Sequence, residues 1–232
     1  MSWRVSGKIA RRELRSGLSG FRILIACLAL GVAAIAAVGT VRSGIQAGLV
    51  SEGAALLGGD AEAEFTNRFA TEDERAWMEN RADAISQIVD FRSMAVVERD
   101  GVTERGLTQI KAIDEFYPLY GTPKLQSGNA FDTAFQQTGA HPPALMERLL
   151  ADRLALNIGE PFKLGTATFQ LADVITYIPD GAGDGFGLGP RTIVMSKDLE
   201  NSGLLASGTL FSTQYRMKLP SGTNLDTLAS MV

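Results

Sequence analysis

His141 is the only histidine in the chain, and every imidazole-based chemistry would have to use it. It stands beside Pro142, without H-x-x-x-H spacing and without a cysteine near it in sequence, so it lacks the partners of a zinc site. A Ser-His-Asp triad would need the same residue, and no G-x-S-x-G elbow presents a serine to it. His141 therefore reads as a surface or capping histidine. The stretch Gly181–Gly189 has the glycine content of a phosphate loop. It matches neither G-x-G-x-x-G nor G-x-x-x-x-G-K-[ST], however, and reads as a flexible loop. Asp180 and Asp184 do not fit the spacing of a calcium loop. The acidic run Glu72-Asp73-Glu74 is most simply the start of a helix, where the dipole favours negative charge. No catalytic residue, metal ligand or cofactor is expected, which places an enzyme well behind the other readings.

The elements that would have to position any site begin with an apolar run. Ile23 to Val41 holds nineteen residues without a charge, between Arg22 and Arg42. As a helix it is roughly 28 Å long, close to the ~30 Å hydrocarbon core of a bilayer. Ile23, Leu28, Gly31, Ile35 and Val41 mark the expected span. Ala26, Ala29, Ala33 and Ala37 (or Ala36) recur at three- and four-residue steps, a stripe of small residues that lets a second helix approach closely in lipid. A cleaved signal peptide is the competing reading, since Ala34-Ile35-Ala36 resembles a cleavage site. The run exceeds the usual h-region, and Ile45, Leu49, Leu56 and Leu57 continue the helical pattern beyond it, which favours an uncleaved anchor.

Charge gives this boundary a direction. Of the 22 Lys and Arg, six precede Ile23, with one of the 26 acidic residues; the remainder carries 16 basic against 25 acidic side chains. The positive-inside rule places the N-terminus in the cytoplasm and the rest across the membrane. A net charge of −9 there argues against nucleic acid as a partner. Residues 1–20, with Trp3, Val5, Ile9, Leu14 and Leu18 among basic residues, read as a short amphipathic helix on the cytoplasmic face or as a plain topology signal. Gly17, Ser19 and Gly20 are expected to turn the chain into the bilayer at residue 21. The span and a stalk then occupy 21–57, and Gly44, Gly48 and Gly53 are candidate hinges within the stalk.

Residues 58–232 have the composition of a folded domain. Asp60–Phe65 reads as a strand, and Thr71-Glu72-Asp73-Glu74 as a capping box opening a helix over 72–82. Ile85–Val97 and 103–113 read as strands joined at Asp100-Gly101. A loop-rich stretch follows from Pro118. Pro143–Leu156 reads as a helix with Leu145, Leu149, Leu150 and Leu154 on one side. Strands are expected at 161–165, 168–178, 192–195 and 211–219, with a helix near 197–204 and another opening at Thr223. That last helix has barely begun at Val232, so the sequence is expected to be a fragment of a longer protein.

The order of these features resembles FtsX-like ABC transporter permeases. The resemblance runs from Arg11-Arg12-Glu13-Leu14 to Leu56-Leu57-Gly58-Gly59-Asp60. It continues through Tyr117-Pro118-Leu119-Tyr120-Gly121, Leu156-Asn157-Ile158-Gly159-Glu160, Gly189-Pro190-Arg191, Gly203-Leu204-Leu205 and Tyr215-Arg216-Met217. It is nearest to the large permeases paired with a lysophospholipase-associated ATPase. The resemblance implies an α+β architecture in which one transmembrane helix leads to a MacB-type periplasmic core domain. A mixed α/β part (58–117 and 190–232) would be interrupted by a β-rich insertion (118–189). It further implies the bacterial inner membrane, a cytoplasmic ABC ATPase subunit, further transmembrane helices or a second permease half, and a hydrophobic or lipid-like substrate. The alternative is a single-pass anchored extracytoplasmic binding or sensor protein.

Overall fold

The computed structural model describes residues 3–99, 101–136, 139–181, 189–199, 202–205 and 208–223. The chain divides into two compact units, residues 1–51 and 52–232. The expected C-terminal helix from 224 and most of the Gly181–Gly189 loop lie outside the described residues.

The first element, α1, is a single helix over Trp3–Leu57. It passes through Gly17, Ser19 and Gly20, where the sequence predicts a turn. Glycine costs a helix about 1 kcal/mol relative to alanine. That makes a break cheap without compelling one, and the Arg, Leu and Ala around these positions are good helix formers. Within α1, Phe21–Ile45 is long and apolar enough to cross a membrane, and it is not buried within the structure. The helix ends where the sequence predicts. Gly58 follows Leu57 with φ +75°, the left-handed conformation that closes a helix and that glycine adopts without a Cβ penalty.

Among the described residues the second unit is built on nine strands: β1 (Ala61–Thr66), β2 (Ala84–Arg99), β3 (Val102–Ile113), β4 (Lys124–Leu125), β5 (Pro143–Glu147), β6 (Pro161–Leu164), β7 (Ala167–Tyr177), β8 (Arg191–Met195) and β9 (Phe211–Lys218). Their order in the sheet is β1-β9-β2-β3-β8-β5-β7-β4, and β6 pairs with both β2 and β7. Strand β2 changes neighbour along its length. Ala84–Phe91 pair with β9, whereas Ala95 and Val96 pair with Leu164 and Lys163 of β6. The pairings β2-β3-β8-β5-β7-β6 thereby return to β2 and close a ring. Strands β4–β7 come from 118–189, but the ring also uses β2, β3 and β8.

Two further readings are corrected. Pro143–Glu147 is strand β5 rather than the start of a helix, and only Arg148–Arg153 is helical (α4). Ala144, Leu145 and Met146 are fully buried between β7 and β8, a position that demands apolar residues on both faces and erases the helical period. Leu149 is 70% exposed, whereas Leu150 and Leu154 are buried, so the four leucines do not share a side. The helix expected at 197–204 is one 3-10 turn, Ser196–Leu199. The stretch after Pro118 also holds a short helix, α3 (Phe131–Phe135), which Phe131 anchors against Tyr117.

Helix α2 (Glu72–Glu79) starts as its sequence dictates. Thr71 Oγ1 accepts from the Glu74 amide at 3.3 Å, and Glu74 accepts from the Thr71 amide at 2.8 Å. Arg68 adds a two-pronged ion pair at 2.7 and 2.8 Å. The Arg68 bond and then the Thr71 amide hold the Glu74 carboxyl at about 2, below its ordinary 4.5. A depressed carboxyl stabilises the fold above its unfolded value, and that contribution disappears as pH falls toward about 2. The Glu74 carboxyl, followed by NMR, is expected to titrate near about 2 and to return toward 4.5 in Arg68→Ala. Thr71→Ala is expected to cost about 1 kcal/mol in urea unfolding.

Candidate functional site

The expected span residues lie on the open surface of α1. Ile23, Leu28, Ile35 and Val41 are 66%, 68%, 76% and 62% exposed, a belt of apolar surface without protein cover. Ala26, Ala29, Ala33 and Ala37 lie exposed along the same helix, and Ala37 joins Val38, Val41 and Ile45 in a shallow apolar groove. A Cβ added at Gly31, Gly44 or Gly53 would meet nothing within 4 Å. Among the described residues nothing packs there to require glycine. Gly48 lies in the helical backbone. Cys27 is exposed on the same helix.

Where α1 ends, the chain meets a group of buried charges that sequence reasoning did not single out. Asp180, in the turn after β7, is fully buried. Its carboxylate accepts from Lys111 Nζ on β3 at 2.7 Å, from the Tyr117 hydroxyl at 2.8 Å, and from Arg216 Nη1 on β9. The side chains of Lys111 and Arg216 are each 1% exposed. Arg216 also donates through Nε to Glu62 on β1 at 3.0 Å and through Nη2 to Gln214 at 3.2 Å. Among the described residues two cations thus face two carboxylates, and every guanidinium nitrogen has an acceptor. Burying such charges is tolerable only with this degree of pairing.

Gly58 sits against the cluster. A Cβ there would lie 2.5 Å from Arg216 Nη1 and 2.9 Å from Asp180 Cβ. The next residues are tied to the same strand. The Asp60 amide donates to the Met217 carbonyl at 2.9 Å. The Asp60 carboxylate accepts from the Leu219 amide at 2.8 Å and from the Tyr120 hydroxyl at 2.7 Å. Burial, and then the bond to Asp60, pushes the Tyr120 hydroxyl up to about 12. The sequence signals were indirect. Tyr117, Tyr120, Asp60 and Arg216 all fall within the stretches that carry the family resemblance. The alternation Tyr215-Arg216-Met217 reads as a half-buried strand with Arg216 facing out, and it hides the burial of both faces.

The cluster holds elements in place and offers no nucleophile with a base. His141 is exposed. Among the described residues no group of three or more His, Cys, Asp or Glu is arranged to hold a metal. A cavity of about 580 Å³ is lined by Phe69, Gln87, Val89, Lys197, Leu199 and Leu205 among others. A second of about 810 Å³ lies over Glu64, Asp90, Arg92 and Gln109. Neither has a histidine or cysteine in its wall.

One helix long and apolar enough to cross a membrane thus leads into a sheet-rich α+β unit. The sequence profile of the MacB-like periplasmic core domain matches residues 23–232, and the chain belongs to that family. It is 26% identical over 209 residues to the uncharacterized ABC transporter permease YbbP of Escherichia coli (strain K12), covering 88% of this chain. The chain spans 24% of the length of that relative. Among solved structures it is similar to the periplasmic region of MacB from Actinobacillus actinomycetemcomitans, at 9% identity and a TM-score of 0.45, over 75% of this chain and 81% of that one. It is also similar to the extracellular domain of the noncanonic ABC-type transporter YknZ from Gram-positive bacteria, at 12% identity and a TM-score of 0.44, over 69% and 77%.

Proposed function

We propose that this chain is the membrane-proximal part of an ABC transporter permease of the bacterial inner membrane. The N-terminus would lie in the cytoplasm, and residues 58–232 would form the periplasmic core domain. The observation that carries the reading is the family match itself, which includes the apolar helix with the folded unit in one continuous profile, 23–232. The relative named a permease supports it. On this reading a cytoplasmic ABC ATPase subunit hydrolyses ATP. The resulting movement of a transmembrane bundle, built from further helices or a second permease half, reaches the periplasmic domain through α1. A hydrophobic or lipid-like molecule is then extracted or exported. Residues 1–20 would lie on the cytoplasmic face, 21–57 would be span and stalk, and 118–189 would be the insertion into the mixed part formed by 58–117 and 190–232.

Gly44, Gly48 and Gly53 are the hinge candidates in the stalk, and they give the experiment. Each Gly→Ala change stiffens a helix by about 1 kcal/mol. The double variant Gly48→Ala/Gly53→Ala therefore opposes bending by about 2 kcal/mol, a factor of up to roughly 30 in a bending equilibrium. The full-length protein, reconstituted in vesicles with a partner ABC ATPase subunit, is expected to keep hydrolysing ATP while substrate released per ATP falls at least severalfold. Unchanged coupling would remove the hinge. Failure of the protein to engage any ABC ATPase would favour the anchored binding module instead.

A further inference from the structure

Among the described side chains, residues 57–60 at the root of α1 are held to their own domain by charge and backbone, with little apolar packing. Gly58 and Gly59 are buried yet carry no side chain, and Leu57 is 56% exposed. Residues 57–60 belong to none of the three hydrophobic clusters, which gather on the strands, α2, α3 and α4. Asp60 ties them down through its three bonds, and the Arg216 guanidinium, which Asp180 orients, lies close beneath Gly58. Asp180 itself lies in a turn beyond the end of β7, so its displacement breaks no strand pairing. A segment secured by few apolar contacts and by directional polar bonds opens at lower free energy than a packed sheet.

We propose that Asp180 is a latch for the helix root. With its carboxylate on Lys111, Tyr117 and Arg216, the guanidinium stays under Gly58 and the root is fixed on β9. With the carboxylate displaced, the guanidinium no longer braces Gly58, and residues 57–60 keep only the Asp60 bonds and open more readily while the sheet keeps its pairing. Arg216 is the arm of the latch, and Glu62 and Gln214 are the groups that keep hold of it in the open form. If the domain is moved by α1, as proposed above, the latch decides whether the helix and the sheet move as one piece.

The test is hydrogen exchange, followed by mass spectrometry, on the full chain in lipid nanodiscs. Asp180→Asn keeps the shape of the side chain and removes its charge. The exchange rate of the peptide covering 57–60 is expected to rise, and its factor to exceed that of Ile88–Phe91 by roughly tenfold or more. Tyr117→Phe removes one bond to the carboxylate, keeps a ring beside Lys111, and is expected to raise the same peptide severalfold. Equal acceleration of both peptides would reduce Asp180 to general support of the fold and overturn the latch, as would no change at 57–60. Should Asp180→Asn fail to fold, Tyr117→Phe decides alone by the same comparison. The measurement needs no ATPase or substrate. Its failure therefore removes the latch and leaves the permease reading to the coupling experiment.

Discussion

Phe169→Ala is expected to destabilise the folded unit by about 3–5 kcal/mol, the range for truncating a buried aromatic side chain. Phe169 is fully buried on β7, and Phe162, 2% exposed on β6, has its ring centroid 6.3 Å away. The cost is expected at the upper end because of how the ring of strands closes. β6 meets β2 through only two residue pairs, Ala95 with Leu164 and Val96 with Lys163. So little backbone pairing cannot hold the closure by itself. The apolar contents of the ring, including Phe162, Leu164, Phe169, Leu171, Leu150 of α4 and Leu154 just beyond it, must do most of it. Leu154 also packs close to Gly106 on β3, and a Cβ at Gly106 would lie 2.5 Å from a Leu150 methyl. Such a site has little room to collapse around a cavity. The control is Leu149→Ala, one residue before Leu150 but 70% exposed, which is expected to stay within about 0.5 kcal/mol of wild type. Urea unfolding of the full chain in detergent, read from Trp77 in a Trp3→Phe background, gives both values. A loss below about 1 kcal/mol for Phe169→Ala would mean the ring does not depend on its interior.

How far this architecture was legible differs from segment to segment, for physical reasons. The span and the end of α1 were legible because their signals are local. A charge-free run needs no tertiary context, and Gly58 follows the last helical residue where a left-handed closure requires it. The capping box at Thr71 was legible for the same reason, since its bonds lie within four residues. β5 was not. Its sequence, Pro143 to Glu147, becomes a strand only because β7 and β8 lie on either side of it. A short apolar run carries no period that separates strand from helix. The two-neighbour habit of β2 was hidden too. Alternation along Ile85–Val97 signals a strand, but nothing in it says that one half pairs with β9 and the other with β6.

The buried charges fall between these cases. Lys111, Asp180 and Arg216 are 36 to 105 residues apart in sequence, and ordinary charge patterning places each on a surface. Only the fold brings β3, β9 and the turn after β7 together. The resemblance stretches containing Tyr117 and Arg216 marked the neighbourhood without giving its chemistry. Asp180 stands at the start of the glycine loop and, with Asp184, misses the spacing of a calcium loop. It is instead the acceptor for three donors within the protein, and a metal would have to displace two cations to reach it.

Placing two aspartates in the span, Leu30→Asp with Ala33→Asp, is expected to abolish stable membrane integration. An aspartate near the centre of a transmembrane helix costs about 2.5–3.5 kcal/mol. The pair therefore costs about 5–7 kcal/mol, several powers of ten in the insertion equilibrium. Two charges are needed, because the segment Phe21–Ile45 has a mean hydropathy of 2.5 in its best window and has apolar surface to spare against one. Leu30 is 76% exposed and Ala33 is exposed, so neither substitution disturbs packing within the chain. That separates loss of the membrane from loss of the fold. Carbonate extraction of membranes from expressing cells reads the outcome: wild type is expected in the pellet and the double variant in the supernatant. Protease protection of residues 58–232 in inverted vesicles reads the direction, with the domain expected inside. A double variant as resistant to carbonate as wild type would show that something other than Phe21–Ile45 holds the protein to the membrane. A wild-type N-terminus beginning near residue 37 would convert the same segment from anchor to signal. The charge asymmetry across Ile23 favours the anchored result only in combination with the length of the run, because a signal peptide shares the basic flank and lacks the length.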